Sequence, residues 1–294
     1  MPQATTTNVI DRHVRIHRVL SDDGTQIAGT VHGDGPPLVL VNGGIDDGDT
    51  SWGRMLPRLT DRFTCYAMST RGRGFSADAP DHASERLVED VTSFAESIGE
   101  PVGLVGESSG AVLAIGAAAR SAAVAAVAAY EPGASEALGS EEAALFEGTV
   151  ERVERAVAEG RYADGARSFF DVIANDVELA DITASNYAEE AARYVPVLLQ
   201  EIHEESEPGA WSPTDPTVLA RITAPVLLLR GADTALRWLS DGTRHVAAHV
   251  EHAEVRELAG VGHLAVALGA PAIADELVRF FVDQTESAAR QPGS

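Results

Sequence analysis

Gly106-Glu107-Ser108-Ser109-Gly110 is the stretch of this chain whose residue types and spacing most plainly permit chemistry. A free serine hydroxyl is a weak nucleophile. It reacts when a base takes its proton and when its oxygen projects to where a substrate can reach it. A sharp turn from a strand into a helix gives that projection but crowds the backbone, and glycines two residues before and two after the serine relieve the crowding. Gly106 and Gly110 stand at those positions. The apolar run Pro101 to Val105 supplies the strand, and the small residues from Ser109 to Arg120 supply the helix. Ser108 is the candidate nucleophile.

Such a serine needs a histidine as base and a carboxylate to orient the histidine, and after a strand-to-helix elbow of this kind they follow in the order serine, acid, histidine. His263 closes Gly260-Val261-Gly262-His263 behind the strand-like run Glu254 to Leu258 and is the candidate base. Asp233 follows the strand-like run Val226 to Leu229 across Arg230-Gly231-Ala232, at a strand's carboxyl end, where active-site loops gather. It is the candidate acid. Its plainer role would be to cap a helix starting at Thr234, and Glu131 is the best alternative acid. The oxyanion that develops on the substrate needs preorganised donors. The backbone N–H of Ser109 is one candidate. The other is Gly44 N–H, because Asn42-Gly43-Gly44 follows the apolar run Pro37 to Val41 and lets backbone approach closely.

Asn42-Gly43-Gly44, Arg71-Gly72-Arg73-Gly74-Phe75-Ser76, Gly106 to Gly110, Tyr130-Glu131-Pro132, Gly231-Ala232-Asp233 and Gly262-His263 occur in one order along the chain. In that order they resemble the α/β-hydrolase superfamily, and in particular its small, capped, esterase-like serine hydrolases from actinobacteria. The resemblance runs from about residue 13 to about residue 283 and is weakest between Gly133 and Pro216, where that family carries its variable cap. It implies a mostly parallel eight-stranded sheet with helices on both faces, a helical cap inserted after the sixth strand, and the triad Ser108, Asp233 and His263. Two positions depart from the pattern. Asn42 stands where histidine usually precedes the glycine pair, and Ser69 stands where aspartate usually opens the Arg-Gly-x-Gly loop. Both put loop geometry in question more than chemistry.

The elements that must position these groups follow from hydrophobic spacing. His13 to Leu20 and Gln26 to His32, split by Ser21-Asp22-Asp23-Gly24, predict an opening hairpin. Pro37 to Val41, Phe63 to Ser69, Pro101 to Val105 and Val124 to Tyr130 are short apolar runs suited to buried parallel strands, with helices expected over Trp52 to Leu59, Ser84 to Ile98 and Ser109 to Arg120. From Gly133 to about Pro216 the composition changes to acidic, Ala-rich helical stretches, among them Glu141 to Glu159, Tyr162 to Ala174 and Tyr187 to Glu205. Strands resume at Pro225 to Leu229 and Glu254 to Leu258, and a helix from Pro271 to Phe281 closes the pattern. The expected organisation is a core domain of residues 1–132 and 217–294 interrupted by a cap of residues 133–216. Trp52, Phe146, Phe170, Tyr187 and Trp211, with Phe169 and Tyr194, are the candidates to line an apolar substrate pocket.

Bulk composition narrows the partners. A formal net charge of −23 and a pI near 4.6 argue against a nucleic-acid surface or docking on anionic membranes. The chain contains no lysine, which excludes Schiff-base and P-loop chemistry. The single Cys65 suits a buried strand. The first eleven residues carry no apolar run that would make a signal peptide, and a cytoplasmic location is expected. Gly72 to Ala77 fits a dinucleotide pattern formally, but the loop Asp78 to Asp81 follows instead of a helix. His245, His249 and His252 suit a solvated helix end better than a metal site. Asp46-Asp47-Gly48-Asp49 lacks calcium-loop spacing and suits a polar turn beside the Gly44 loop. The expectation is therefore a serine hydrolase that needs no cofactor or metal, acts on a carboxylic ester of a small apolar molecule and could pair as a homodimer. Lactone opening, carbon–carbon bond hydrolysis, cofactor-free perhydrolysis or a ligand receptor without turnover are the alternatives. Enzymes of this superfamily with an aspartate nucleophile are disfavoured by Ser108.

Overall fold

The computed structural model describes residues 14–290. Within them, eight strands form one sheet in the order β1-β2-β4-β3-β5-β6-β7-β8. They are β1 (Arg15–Leu20), β2 (Gln26–His32), β3 (Pro37–Val41), β4 (Thr64–Ser69), β5 (Val102–Glu107), β6 (Val124–Tyr130), β7 (Val226–Gly231) and β8 (Glu254–Leu258). β1 pairs antiparallel with β2, and β2 antiparallel with β4; the remaining pairs are parallel. His13, the first residue of the expected hairpin, the stretch read for a signal peptide and the last four residues lie outside the described range.

The central strands are continuous apolar runs because both of their faces are covered. Alternation sends Val39 and Val41 to one hydrophobic layer and Leu38 and Leu40 to the other. The helices that cover these layers include α1 (Gly48–Trp52), α2 (Leu56–Leu59), α3 (Ser84–Glu96) and α4 (Ser109–Ala118). Between β6 and β7 come only helices: α5 (Ser140–Ala158), α6 (Tyr162–Ile173), α7 (Asp176–Ala184), α8 (Tyr187–Ala191), α9 (Val195–Glu205) and α10 (Pro216–Leu219). Their apolar faces form a third cluster that includes Ile45, Leu236, Leu239 and Leu264, so this helical insert rests on the loops at the carboxyl ends of the strands. α11 (Arg237–His249) and α12 (Pro271–Arg290) complete the chain. None of the described helices is long and apolar enough to cross a membrane.

Three helices depart from the sequence expectation. The stretch Trp52 to Leu59 splits in two, since Asp47 caps α1 through Thr50 N–H and α1 ends at Gly53. Tyr187 to Glu205 is broken by a 3-10 turn at Ala192–Tyr194, just before Pro196 removes a donor from the first turn of α9. The helix expected from Thr234 starts at Arg237. α7 was not anticipated, although Asn175 and Glu178 form a capping box at its start.

Candidate active site

Ser108 stands between β5 and α4 with φ 53° and ψ −121°, outside the ordinary regions for an L residue. Its N–H donates to Tyr130 O at 2.9 Å, which seats the turn against β6. The flanking glycines are sterically required. A Cβ on Gly106 would lie 2.1 Å from Gly110 O, and one on Gly110 would lie 2.2 Å from Asn42 O.

His263 bridges two groups. Its Nε2 is 3.1 Å from Ser108 Oγ, and its Nδ1 is 2.8 Å from Glu131 Oε2. The carboxylate leaves only one consistent proton assignment. Nδ1–H donates to Glu131, and the bare Nε2 accepts from the serine hydroxyl. Glu131 is fully buried, at φ 47° directly after β6. Its Oε1 accepts from Gly231 N–H at 2.8 Å and from Thr234 Oγ1 at 2.5 Å, so both oxygens are occupied and the carboxylate is fixed. The histidine loop is tied down by Tyr130 OH, which donates to Gly262 O, and by Leu264 N–H, which donates to Glu178 Oε1 at 2.8 Å. Burial raises the Glu178 carboxyl above its usual range.

Asp233 does not occupy the position expected of it. Its side chain is exposed, while its backbone N–H donates to Val261 O at 3.0 Å and its carbonyl accepts from Asn175 Nδ2 at 3.0 Å. Those main-chain bonds fix the loop with the carboxylate turned to solvent. The longer glutamate, one strand closer to Ser108, reaches His263 instead. Its location at the end of the strand next to β5 was the available sequence signal.

Asn42 and Ser69, the two departures from the family pattern, hold the loop between β3 and α1. Asn42 Nδ2 donates to Gly43 O at 2.8 Å and to Asp46 O at 2.7 Å, and its Oδ1 accepts from Thr70 N–H at 2.9 Å. Ser69 Oγ accepts from Gly48 N–H at 3.1 Å. Gly44 lies against Ser109, the residue after Ser108, since a Cβ there would be 3.3 Å from Ser109 Oγ and 3.1 Å from Leu198 Cδ1. Among the described residues, neither Gly44 N–H nor Ser109 N–H is taken by a hydrogen bond. In and beneath the loop, burial pushes the Asp46 carboxyl up to about 7 and the Glu107 carboxyl up to about 8; the charges of Asp47 and Glu190 raise Asp46 further, and that of Asp46 raises Glu107.

Ser108 and His263 open into a cavity of about 120 Å³. Its apolar wall includes Phe146, Phe169, Leu198, Trp238 and Leu239, with Arg73, His82 and Glu201 at a polar end. Most of the aromatic residues expected to line it lie elsewhere. Trp52 is fully buried in the core with its indole N–H on Val41 O at 3.2 Å. Phe170 and Tyr187 pack on each other inside the helical insert, and Tyr187 OH donates to Asp46 Oδ2 at 2.5 Å. Tyr194 OH donates to Asp47 Oδ2 at 2.5 Å. Trp211 lies under Arg120, 4.9 Å from the guanidinium carbon. Trp238 was missed because nothing in the sequence separates the start of α11 from an ordinary surface helix. His245, weighed as a metal ligand, has its Nε2 on Thr214 O at 2.8 Å.

Comparison with known proteins agrees with this architecture. Residues 38–276 match the profile of the Alpha/beta hydrolase family. An alpha/beta hydrolase from Sphaerobacter thermophilus DSM 20745 superposes with a TM-score of 0.71 at 26% identity, covering 90% of this chain and 100% of the other. A thermophilic esterase from Thermogutta terrifontis gives a TM-score of 0.72 at 17% identity, covering 92% and 99%. A pyrrolizixenacetamide deacetylase from Xenorhabdus hominickii is 33% identical over 96 residues, 32% of this chain and 36% of that one, so the match spans about a third of the relative's length.

Proposed function

Because the chain belongs to the alpha/beta hydrolase family, we propose that it is a serine hydrolase acting through Ser108, His263 and Glu131. The observation that carries this reading is the single imidazole within reach of both the elbow serine, at 3.1 Å, and a buried carboxylate, at 2.8 Å.

The chemistry is two-step acyl transfer. His263 Nε2 takes the Ser108 proton as Oγ attacks the carbonyl carbon, and Glu131 stabilises the imidazolium that results. The carbonyl oxygen becomes an oxyanion that accepts from the Ser109 and Gly44 N–H groups, both otherwise unpaired among the described residues. His263 then gives its proton to the leaving group, and water cleaves the acyl-enzyme by the same steps in reverse order. The predominantly apolar wall of the cavity suits a small, mainly apolar acyl ester. Structural neighbours that are esterases, from Rhodococcus and Thermogutta, support ester cleavage, and the deacetylase match makes acetyl amides the second substrate type to assay.

Ser108→Ala tests the reading directly. The parent chain is expected to hydrolyse short activated esters and to be labelled by a fluorophosphonate, and the variant to do neither. Labelling that survives the substitution would overturn the assignment.

A further inference from the structure

Arg73 is a buried cation, 1% exposed, for which the triad has no use. Its guanidinium joins two parts of the molecule. Nη1 donates to Glu201 Oε1 at 2.5 Å and to Thr70 Oγ1 at 3.0 Å; Nη2 donates to Glu201 Oε2 at 2.7 Å and to the Gly44 carbonyl at 2.5 Å. Glu201 belongs to α9 of the helical insert, whereas Gly44 carries one of the two N–H groups assigned to the oxyanion. One planar group therefore ties the insert to the oxyanion loop.

The tie acts where the backbone is softest. Gly43 and Gly44 have no Cβ to restrict their dihedrals. A peptide unit is planar, so fixing its carbonyl fixes the direction of its N–H. Asn42 Nδ2 holds the Gly43 carbonyl, which shares a plane with Gly44 N–H. Arg73 holds the next carbonyl, that of Gly44 itself. Together they clamp the planes on both sides of the Gly44 Cα. Tyr187 on Asp46 and Tyr194 on Asp47 hold the continuation of the same loop, again from the insert.

We infer that Arg73 is a positioning residue that aims the Gly44 N–H at the oxyanion, and that Glu201 makes this alignment depend on α9 being seated. The inference rests on the acyl-transfer reading above. Arginine suits the task because its fork offers parallel donors to a carboxylate while a further N–H serves the carbonyl. A lysine ammonium at the end of a flexible stem cannot hold both in one plane.

The test compares the parent chain with Arg73→Lys and Glu201→Gln, using a short p-nitrophenyl ester and an alkyl trifluoromethyl ketone. In the ketone adduct Ser108 Oγ bonds to the carbonyl carbon, the carbonyl electron pair moves to oxygen and the serine proton passes to His263, so its affinity reports the oxyanion site. Removing an oxyanion donor outright costs about 10²–10³ in kcat. A misaligned donor costs less, and for Arg73→Lys kcat is expected to fall by about 10–100-fold with KM within about threefold. Ketone affinity falls by the same factor, while Glu201→Gln shows a smaller loss in the same two quantities. A residue that merely props the fold would lower the melting temperature without lowering ketone affinity in step with kcat. The inference is overturned if both variants keep kcat within about twofold, if the loss appears in KM alone, or if kcat falls without the ketone. Should Arg73→Lys not fold, Glu201→Gln decides by the same criteria. A parent chain inert to ester and ketone overturns the acyl-transfer reading and this inference with it, whereas a reactive parent with unaffected variants overturns the inference alone.

Discussion

Replacing Glu131 by glutamine changes one oxygen for an NH₂ in a fully enclosed site, and the neighbours decide which one. Gly231 N–H donates to Oε1 at 2.8 Å and cannot turn round, so the amide must keep its oxygen there. The NH₂ then occupies the Oε2 position, 2.8 Å from His263 Nδ1 in the parent. Nδ1 must become an acceptor, the imidazole proton moves to Nε2, and the nitrogen facing Ser108 can no longer take the serine proton. In serine proteases the equivalent exchange of carboxylate for amide lowers kcat about 10⁴-fold by the same change of tautomer. A loss of about 10³–10⁴-fold is expected for Glu131→Gln, with KM little changed. Asp233→Asn alters an exposed side chain and should stay within about twofold, the kinetic equivalent of about 0.5 kcal/mol for a surface change. The assay is steady-state hydrolysis of a p-nitrophenyl ester, with stopped-flow measurement of the acylation burst. Equal losses in the two variants, or a Glu131→Gln rate within tenfold of the parent, would refute the assignment of the acid.

Other outcomes follow from burial and charge. Phe146→Ala should change chain-length preference through KM, because Phe146 lines the cavity, while Phe170→Ala should cost about 3–5 kcal/mol of stability as a fully buried residue; a substrate profile altered more by Phe170→Ala would reverse that distinction. Asp46 and Glu107 titrate at about 7 and about 8, above the value each has in an unfolded chain. Between the unfolded and folded values the native chain binds more protons, so their contribution is complete at low pH and is lost as pH rises from about 4 through about 8. Glu107→Gln should therefore gain melting temperature over the parent near pH 8 and much less near pH 5, as calorimetry would record; equal shifts at both would contradict the sign.

The sheet was legible because buried parallel strands leave continuous apolar runs, and β3 and β6 occupy the residues expected of them. The juxtaposition of Ser108 and His263 was legible because motif and chain order bring them together. The carboxylate that meets His263 was not, since Glu131 and Asp233 both lie between Ser108 and His263 in sequence and both follow neighbouring strands, β6 and β7. Choosing between them required the direction of a side chain, set by a left-handed φ at Glu131 and by main-chain bonds at Asp233. The pocket wall was obscured in a similar way. Phe169 and Phe170 are adjacent on α6, yet helical rotation sends Phe169 to the cavity and Phe170 into the insert. Composition sees two aromatic residues and not their bearings.

Placing the proposed acid, Glu131, directly after β6 also changes the order in which the proposed site would be assembled. Ser108 and Glu131 belong to one strand–helix–strand unit whose register pairs Glu107 with Tyr130. His263 lies 132 residues beyond Glu131, on the far side of the whole helical insert. A chain emerging from the ribosome amino end first would have nucleophile and acid paired well before the base exists. On the proposed triad, turnover would begin only when β8 docks beside β7 and returns the histidine loop. Ester hydrolysis by that triad would then be a gauge of the carboxyl-terminal edge: under mild denaturant, with β7 and β8 at the open end of the sheet, it should vanish before the central strands part.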